Sequence, residues 1–476
     1  MDLIPPEILL HIFDYIDGPA PSEMRLHDQP SLDLLTTKPG SSTASLKAVS
    51  LVSRWWRSLV LTSLFRHVLW KPNVYSLSAF TLNPIPLLRF LTENHLARSV
   101  TTFTVIIDFY DRDAADYVVA PQIRTVDLEW LWDQLFSVID PLRFTVLARP
   151  TTLAALLSRM LYLDDAWSFD IPYHILSLAR PNRQVRPRDD ERGSRRSASP
   201  SLAQPSSSSA GVQLSAPASP SVSRRPATSS AFRPRTAAPC PLFTVRPWTS
   251  LLLNEGSSIK VYRVYEFFLR RPPSILGALL GCEDFPNDAP LVPPTIVDFN
   301  YIAIFPLSSH FEILLEHLPR IDRLFVQLVP KPGNGALEDM DEMGRIDPAD
   351  LWMERNTSYS FLMRELTSVT NPQSNWNLLQ VVETGDATSD REAWELAVAF
   401  LEGSGIQSWK PERVGVFVRQ RDDSESENWS GEVNGHVGGL ANFSDSSLLQ
   451  ASLRRIVYHG PTYFTLASLL FHMQVI

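Results

Sequence analysis

The sequence has 476 residues, a length that predicts roughly two to four domains. Its 43 basic and 52 acidic residues give a net charge of −9, which argues against a protein that binds nucleic acid over its whole surface. Its only two cysteines, Cys240 and Cys282, are too few for a disulfide framework or a four-thiolate zinc site.

The chain opens with an amphipathic helical pattern. Pro5 and Pro6 suit the first turn of a helix, where amide hydrogens have no partner, and Glu7 complements the positive end of the helix dipole. Two neighbouring apolar stripes follow, one of Ile8, Ile12 and Ile16 and the other of Leu9 and Phe13. Because so much of the circumference is apolar, the helix is predicted to contact a partner as well as its own core.

A second helical pattern begins after a loop from Asp17 to Ser45 that is rich in Pro, Ser and Thr. Its apolar positions form two short stripes, one of Leu46, Val49 and Val52 and the next of Trp56, Leu59 and Val60. We expect the loop to bulge outward, because each doubling of loop length costs only about 0.6 kcal/mol.

These residues together resemble the F-box. The family's opening Leu-Pro-x-Glu-Ile is met by Ile4-Pro5-Pro6-Glu7-Ile8, and its Leu-x-x-x-x-x-Val by Leu46 to Val52. Its Arg-x-Trp-Arg-x-Leu signature is met by Arg54-Trp55-Trp56-Arg57-Ser58-Leu59. The departure is the long Asp17–Ser45 join, since the family usually connects its first two helices with a few residues.

The resemblance implies an adaptor function. F-box proteins dock through this three-helix module onto a Skp-family adaptor, and through it onto a cullin of a ubiquitin ligase, while the rest of the chain captures a protein substrate. By the match, the adaptor contacts are Ile4, Pro5, Glu7, Ile8, Ile12, Leu46, Val49, Val52, Trp56 and Leu59. For Trp56 and Leu59, a role in the small helical core is an equal alternative. The layout also resembles fungal F-box proteins with large C-terminal regions.

The rest of the chain alternates helical and strand patterns. Helices are predicted at 87–96, 128–139, 153–163, 264–280, 311–318, 359–369 and 391–401, and strands at 100–108, 142–147, 171–178, 296–305, 321–329, 376–382, 413–419 and 453–458. This alternation is typical of an α/β fold with parallel pairing. An irregular solenoid that resembles leucine-rich repeats is the first choice, and an open or closed parallel sheet is the alternative.

One segment differs in composition from the rest. Between Pro181 and Cys240 the chain has 14 Ser, 9 Pro and 10 Arg but three acidic residues, and such a segment cannot bury enough apolar surface to fold. The predicted organisation is an F-box at 1–70, an α/β domain in two parts at 75–180 and 248–476, and a disordered insert at 181–247.

Motifs for catalysis, metals or cofactors are not evident. His310 and His317 are seven residues apart, whereas helical zinc sites place histidines at i and i+4. Cys282 follows Gly281 in an apolar context that favours packing over nucleophilic chemistry. We therefore expect no enzyme activity, no cofactor and no metal.

The sequence also bears on location. No apolar run reaches the roughly 18–20 residues of a membrane span, and no signal peptide precedes the first helix. We expect a cytoplasmic or nuclear protein that contacts neither membranes nor nucleic acid.

Basic residues follow several predicted strands. Arg149, Arg180, Lys331, Arg419 and Arg421 would share one rim of a parallel array and could bind an acidic or phosphorylated substrate segment. Ordinary solubilising charge is the alternative. For the whole chain, the functional alternatives to a ligase receptor are an F-box scaffold outside the ligase and an α/β enzyme with an F-box-like N-terminus.

Overall fold

The computed structural model describes residues 4–36, 42–72, 85–108, 126–159, 161, 173–183, 240–264, 266–269, 271–283, 289–333, 337, 343–368, 374–405 and 408–420, without the side chains of 42–44 and 126–129. The α-helices are α1 Pro6–Ile16, α2 Pro21–Met24, α3 Ser42–Ser50, α4 Arg54–Leu64, α5 Pro86–Glu93, α6 Val126–Val138, α7 Pro150–Leu156, α8 Pro241–Thr244, α9 Leu276–Leu280, α10 Ser308–Glu316, α11 Pro348–Thr367 and α12 Arg391–Gly403. The strands are β1 His67–Trp70, β2 Thr102–Ile107, β3 Arg143–Ala148, β4 His174–Ala179, β5 Ser250–Ser257, β6 Asp298–Ile304, β7 Arg323–Gln327, β8 Val381–Thr384, β9 Trp409–Arg413 and β10 Val416–Arg419.

Local sequence signals set the starts of many helices. Proline stands in the first turn of α1, α5, α7, α8 and α11, where its fixed φ and missing amide hydrogen do no harm. Side-chain caps begin two others: the Ser53 hydroxyl accepts a hydrogen bond from the Trp56 amide of α4 at 3.2 Å, and the Asp390 carboxylate accepts one from the Ala393 amide of α12 at 3.0 Å.

The described strands form one sheet, so the α/β class is confirmed. Neighbours follow chain order from β1 to β8, and β10 and then β9 lie beyond β8. The pairs β1–β2, β2–β3, β5–β6, β6–β7 and β7–β8 are parallel, and the other pairs are antiparallel. Among the described strands, β1 and β9 each have one neighbour, so the sheet is open and the closed alternative is wrong.

Alternate residues of the central strands face two separate cores. On the first face, Phe103, Phe144 and Tyr301 pack with residues of α5, α6, α7, α10, α11 and α12. On the second face, the core residues pack with Leu351 in the first turn of α11 and with segments outside the α-helices; the strand residues are Ile106, Leu147, Ile175, Leu252, Ile302 and Phe325. Strands buried on both faces explain the continuous apolar runs in the sequence.

Much of the second face is covered by residues 17–36, here called the strap. The side chains of Leu26, Leu34 and Leu35 are buried against the sheet. The Asn254 side-chain amide, which projects from β5, donates hydrogen bonds of 2.8 Å to the carbonyl oxygens of both Leu26 and Asp28. The predicted outward bulge of the 17–45 loop is therefore wrong, because three leucines gain more from burial than the chain loses in loop freedom.

An ion pair, a hydrogen bond and a ring contact also hold the strap. Lys331 Nζ lies 3.1 Å from Asp28 Oδ1, and Arg25 Nη1 donates to the Leu34 carbonyl at 2.9 Å. The His27 ring centroid is 4.7 Å from that of Phe325, and burial lowers the pKa of His27 to about 4. The strap is thus attached to β5, to β7 and to the chain after β7.

Several predicted elements differ from the structure. The long helix predicted at 264–280 is wrong: the chain makes short 3₁₀ turns at Ile259–Arg263 and Phe267–Leu269, and only α9 is helical, because Pro272 and Pro273 interrupt the pattern. Strands β1, β5 and β9 were not predicted. The strand predicted at 453–458 lies outside the described residues.

The structure describes the chain on both sides of the predicted insert. Strands β4 and β5 flank the insert and pair with each other antiparallel. Within 181–247, residues 240–247 belong to the described chain: α8 packs through Leu242 and Phe243, and the Trp248 indole nitrogen donates to the Leu242 carbonyl at 2.9 Å. The described chain therefore includes the last eight residues of the predicted insert, 240–247.

The strap contact yields a stability prediction. Asn254→Ala leaves the Leu26 and Asp28 carbonyls without these donors at a buried site, so we expect a loss of about 1–3 kcal/mol in the free energy of unfolding and faster hydrogen exchange in the strap. Asn300→Ala is the matched control, because Asn300 lies half-buried on the same face and donates to Asp298. Equal losses in the two variants, measured by urea unfolding, would contradict the role given to Asn254.

Candidate functional site

The N-terminal helices form a small core of their own. Leu9 and Phe13 of α1, Leu46 of α3 and Val60 of α4 are buried together. The Trp56 ring lies 5.6 Å from the ring of Phe13, so Trp56 closes one side of this core. The inner stripe of α1 is therefore used for folding.

The outer stripe of α1 and the turn after α3 are exposed. Ile4, Ile8 and Ile12 face solvent, and Ile8 is 51% exposed. Leu51 and Val52, between α3 and α4, are also exposed, with Val52 at 67%. Several large apolar side chains exposed close together are typical of a protein-binding surface.

The predicted adaptor contacts fall into two groups. Exposed ones are Ile4, Pro5, Glu7, Ile8, Ile12 and Val52. Val49, Trp56 and Leu59 are partly buried against the helical core, and Leu46 is 0% exposed within it. Leu46 thus supports the arrangement from inside and presents no surface to a partner in this structure.

Three exposed side chains next to this set were not predicted. Tyr15, Leu51 and Trp55 are exposed, and the Trp55 ring stands edge-on to Trp56 at 6.2 Å. Leu51 and Trp55 adjoin Val52 and Trp56, so the motif itself was the available signal. We define the outer surface as Ile4, Ile8, Ile12, Tyr15, Leu51, Val52 and Trp55.

An ion-pair cluster joins this module to the sheet. Arg66, just before β1, lies 2.5 Å from Asp14 of α1 and 3.2 Å from Asp17 at the start of the strap. Burial raises the pKa of Asp17, although the Arg66 charge opposes the shift. The end of α1, the strap and the first strand therefore meet at one guanidinium.

The basic residues that were predicted to share one rim lie at two opposite edges of the sheet. Arg149 and Lys331 follow β3 and β7 at the carboxyl ends of the parallel strands. Arg180 and Arg419 lie at the opposite edge, because β4 is antiparallel to β3 and β10 is antiparallel to β8. Arg421 lies outside the described residues.

Each described member of this set also has partners. Arg149 lies over the Tyr173 ring at 5.3 Å, and Lys331 pairs with Asp28. Arg180 is buried and pairs with Asp140 at 2.5 Å, which Arg246 also contacts at 2.6 Å. Arg419 lies over the Trp409 ring at 5.1 Å and donates to the Trp376 carbonyl at 3.2 Å. Sequence position alone could not reveal these contacts, because they depend on strand direction.

A buried polar cluster lies on the first face, at the carboxyl ends of β5 and β6. The Glu255 carboxylate accepts hydrogen bonds from Ser274 and from Tyr301 Oη at 2.8 Å, and His310 Nε2 lies 2.9 Å from its Oε2. Burial alone would raise the pKa of Glu255, but the His310 and His174 imidazoles and the Ser274 hydroxyl lower it to about 2. These contacts tie two strands to α10 and to the turn before α9.

His174 is the remaining member of this cluster, and one of its ring nitrogens has no hydrogen-bond partner among the described residues. This nitrogen, Nδ1, is buried. Burial lowers the pKa of His174 to about 4, so the ring is neutral at pH 7. Every member of the cluster is buried, which gives a substrate no direct access to Glu255.

Further chemistry-bearing residues are packed. Burial raises the pKa of the half-buried Cys282 thiol, which disfavours the reactive thiolate. Within the described ranges, no three His, Cys, Asp or Glu side chains are grouped so that they could hold a metal ion. None of the described helices is long and apolar enough to cross a membrane.

Comparisons with protein-family models, with curated proteins and with solved structures find no match to this chain.

The buried histidines predict a pH dependence of stability. Because the pKa of His27 and of His174 falls from 6.5 to about 4 on folding, the unfolded chain binds protons in this range that the folded chain does not. The stabilisation is complete above pH 6.5, and we expect the free energy of unfolding to decrease as the pH falls from 6.5 towards 4.

The variant His174→Asn should reduce this loss, which thermal unfolding at a series of pH values would measure. His317→Asn, at an exposed histidine on the end of α10, is the control and should leave the pH profile unchanged. The buried Asp386, whose pKa is raised by burial to about 6, contributes in the opposite direction in all three proteins. An unaltered profile for His174→Asn would contradict the assignment.

Proposed function

We propose that this protein is the substrate-receptor subunit of a Skp–cullin–F-box type ubiquitin ligase. The observation that carries the proposal is the outer surface: the residues that match the F-box opening lead into α1, with Pro6, Glu7 and Ile8 in its first turn. Their isoleucines are exposed while the inner stripe of α1 fills the core. In this proposal the Skp-family adaptor covers Ile8, Ile12 and Val52 and connects the chain to the cullin.

The physical argument rests on what the exposed isoleucines contribute. They add little to the helical core, whereas burial at an interface would be worth roughly 1.5–3 kcal/mol for each complete aliphatic side chain before association costs are subtracted. Glu7 in the first turn of α1 and Pro5 just before it are also exposed. A partner that covers this surface would explain why large apolar side chains are exposed here.

The remainder of the chain would capture the substrate. We propose that its sheet is an irregular solenoid similar to leucine-rich repeats, because each strand from β1 to β8 lies next to its predecessor in the sequence. The reversed strand β4 and the strap over the second face depart from that pattern. In this proposal Arg149 and Lys331 remain candidate substrate contacts, on the same edge of the sheet.

Two alternatives predict different behaviour. An F-box scaffold outside the ligase would bind the adaptor without promoting ubiquitin transfer. An α/β enzyme would need access to a cluster such as Glu255 with His310, which is buried. We place the receptor in the cytoplasm or nucleus, where the adaptor and the cullin would act, with a protein substrate and without a membrane or nucleic acid partner.

Adaptor capture tests the docking proposal. The double variant Ile8→Asp/Ile12→Asp places two charges in the outer surface, and we expect the affinity for a Skp-family adaptor to fall at least roughly 30-fold, as for an interface hot spot. Titration calorimetry with the full chain measures the affinity.

Val414→Asp is the matched control, because Val414 is 51% exposed in the turn between β9 and β10, far from the motif in sequence. It should bind the adaptor like the wild type. Absence of adaptor binding by the folded wild type would overturn the proposal.

Ligase activity is tested separately. Addition of the wild-type chain to a reconstituted adaptor–cullin–RING complex should support ubiquitin transfer to a bound substrate or to the chain itself, and the double variant should not. Adaptor binding without any transfer would favour the scaffold.

A further inference from the structure

Strand β1 lies at the edge of the sheet, with β2 as its one neighbour among the described strands. The Thr101 and Thr102 amides donate to the Arg66 carbonyl at 2.8 and 3.1 Å, and β1 continues parallel to β2 from there. In a parallel pair, the backbone groups of alternate residues point to the same side of the strand. The amide and carbonyl groups of His67 and Leu69 therefore point away from β2, at the outer edge of the sheet.

Contacts with β2 hold β1 in its extended conformation. His67 Nδ1 lies 2.8 Å from Thr102 Oγ1, and the ring centroids of Trp70 and Phe103 are 6.5 Å apart. Val68 is buried in the core of the first face. The edge is therefore formed before any further strand is added, and little order has to be gained when one binds.

The opposite edge of the sheet, β9, carries features that prevent pairing with a further strand. The residues of β9 after Trp409 are exposed, and they are Lys410, Pro411, Glu412 and Arg413. Charged side chains and a proline, which has no amide hydrogen, are the usual means by which proteins keep a sheet edge unpaired.

Strand β1 has no such protection in its own sequence. His67–Trp70 contains no proline, lysine, arginine or acidic residue. Burial lowers the pKa of His67, so its ring is neutral at pH 7, and the apolar side chain of Leu69 is 40% exposed. An uncharged edge strand of this kind is a surface to which another strand can be added.

The outer edge of β1 is complementary to a second copy of itself. In an antiparallel pair, residues that exchange backbone hydrogen bonds alternate with residues that do not. A two-fold axis at Val68 would place His67 of one chain opposite Leu69 of the other, so that each outward amide meets an outward carbonyl. Val68 would face Val68 of the second copy as the pair without hydrogen bonds, and the exposed Leu69 would gain a neighbour.

We propose that the chain forms a two-fold dimer in which β1 pairs antiparallel with β1 of a second copy and joins the two sheets. A strand of 4 residues buries less than the roughly 1,200 Å² of a stable interface, so the dimer is weak and forms reversibly with concentration. Dimerisation does not depend on the proposed function, because no residue of the outer surface lies in β1.

Sedimentation equilibrium of the full-length protein tests the proposal. Between about 1 and 200 μM, we expect the wild type to change reversibly from monomer to dimer. Leu69→Lys places a charge on the edge and should raise the dissociation constant roughly tenfold or more. Val414→Lys is the matched control, because it adds the same charge at an exposed apolar residue between β9 and β10, and it should dimerise like the wild type.

A cysteine at the two-fold axis tests the register. Val68→Cys would bring two thiols together in the pair without hydrogen bonds, where opposite side chains are closest. Mild oxidation should then give a covalent dimer, which the wild type, with Cys240 and Cys282 alone, should not form. Thermal unfolding verifies that every variant is folded.

Several results would overturn the proposal. One is a monomer at every concentration, including a monomer in which another strand of the same chain protects the His67 and Leu69 amides from hydrogen exchange. Others are a dimer that Leu69→Lys leaves unchanged and a dimer that Val68→Cys does not cross-link. The adaptor affinity of Leu69→Lys should equal that of the wild type, so failure of the dimer is distinct from failure of the F-box proposal.

Discussion

The fold depends on covering the second face of the sheet, and the two hydrogen bonds from Asn254 hold the strap in place over that face. Strands β2 to β7 carry apolar side chains on both faces, so an uncovered second face would expose a row of aliphatic and aromatic residues from Ile106 to Phe325. Leu26, Leu34 and Leu35 cover much of that face, and Asn254 fixes the backbone that carries them. The segment that connects α1 to α3 is thus also part of the core of the sheet domain. A short join could not serve both purposes, which gives the length of this segment a physical reason.

The sequence predicted those elements whose signal is local. The prolines and the stripes of α1 and the apolar runs of β2, β3, β6 and β7 all depend on neighbours within one turn or one strand. Strand direction is different, because β4 runs antiparallel through contacts with β3 and β5 that are far away in the sequence. The helix predicted at 264–280 does not form because Pro272 and Pro273 interrupt its pattern, which is a local signal, and Phe267 in the preceding turn is buried in the core of the second face.

The same distinction applies to the candidate sites. Exposure of Ile8, Ile12 and Val52 is what the motif implied, whereas Leu46 shares the motif but fills the small core. The basic rim required one common strand direction, and β4 and β10 separate its members between opposite edges. Phe268 and Leu269 are exposed beside the buried Phe267 in a short 3₁₀ turn, where the sequence pattern predicts a continuous helix.

Different side chains of α1 serve folding and the outer surface, so the outer surface can be substituted with little effect on folding. Leu9 and Phe13 pack inward with Leu46 and Val60, and Arg66 holds the end of the helix through Asp14 and Asp17. None of these contacts uses Ile8 or Ile12, so replacing the outer isoleucines removes little that stabilises the module. An aspartate at either position remains in water when the chain is alone and becomes costly only when a partner excludes that water. The exposed stripe is therefore free to serve recognition, since a different set of side chains on the same helix provides its stability.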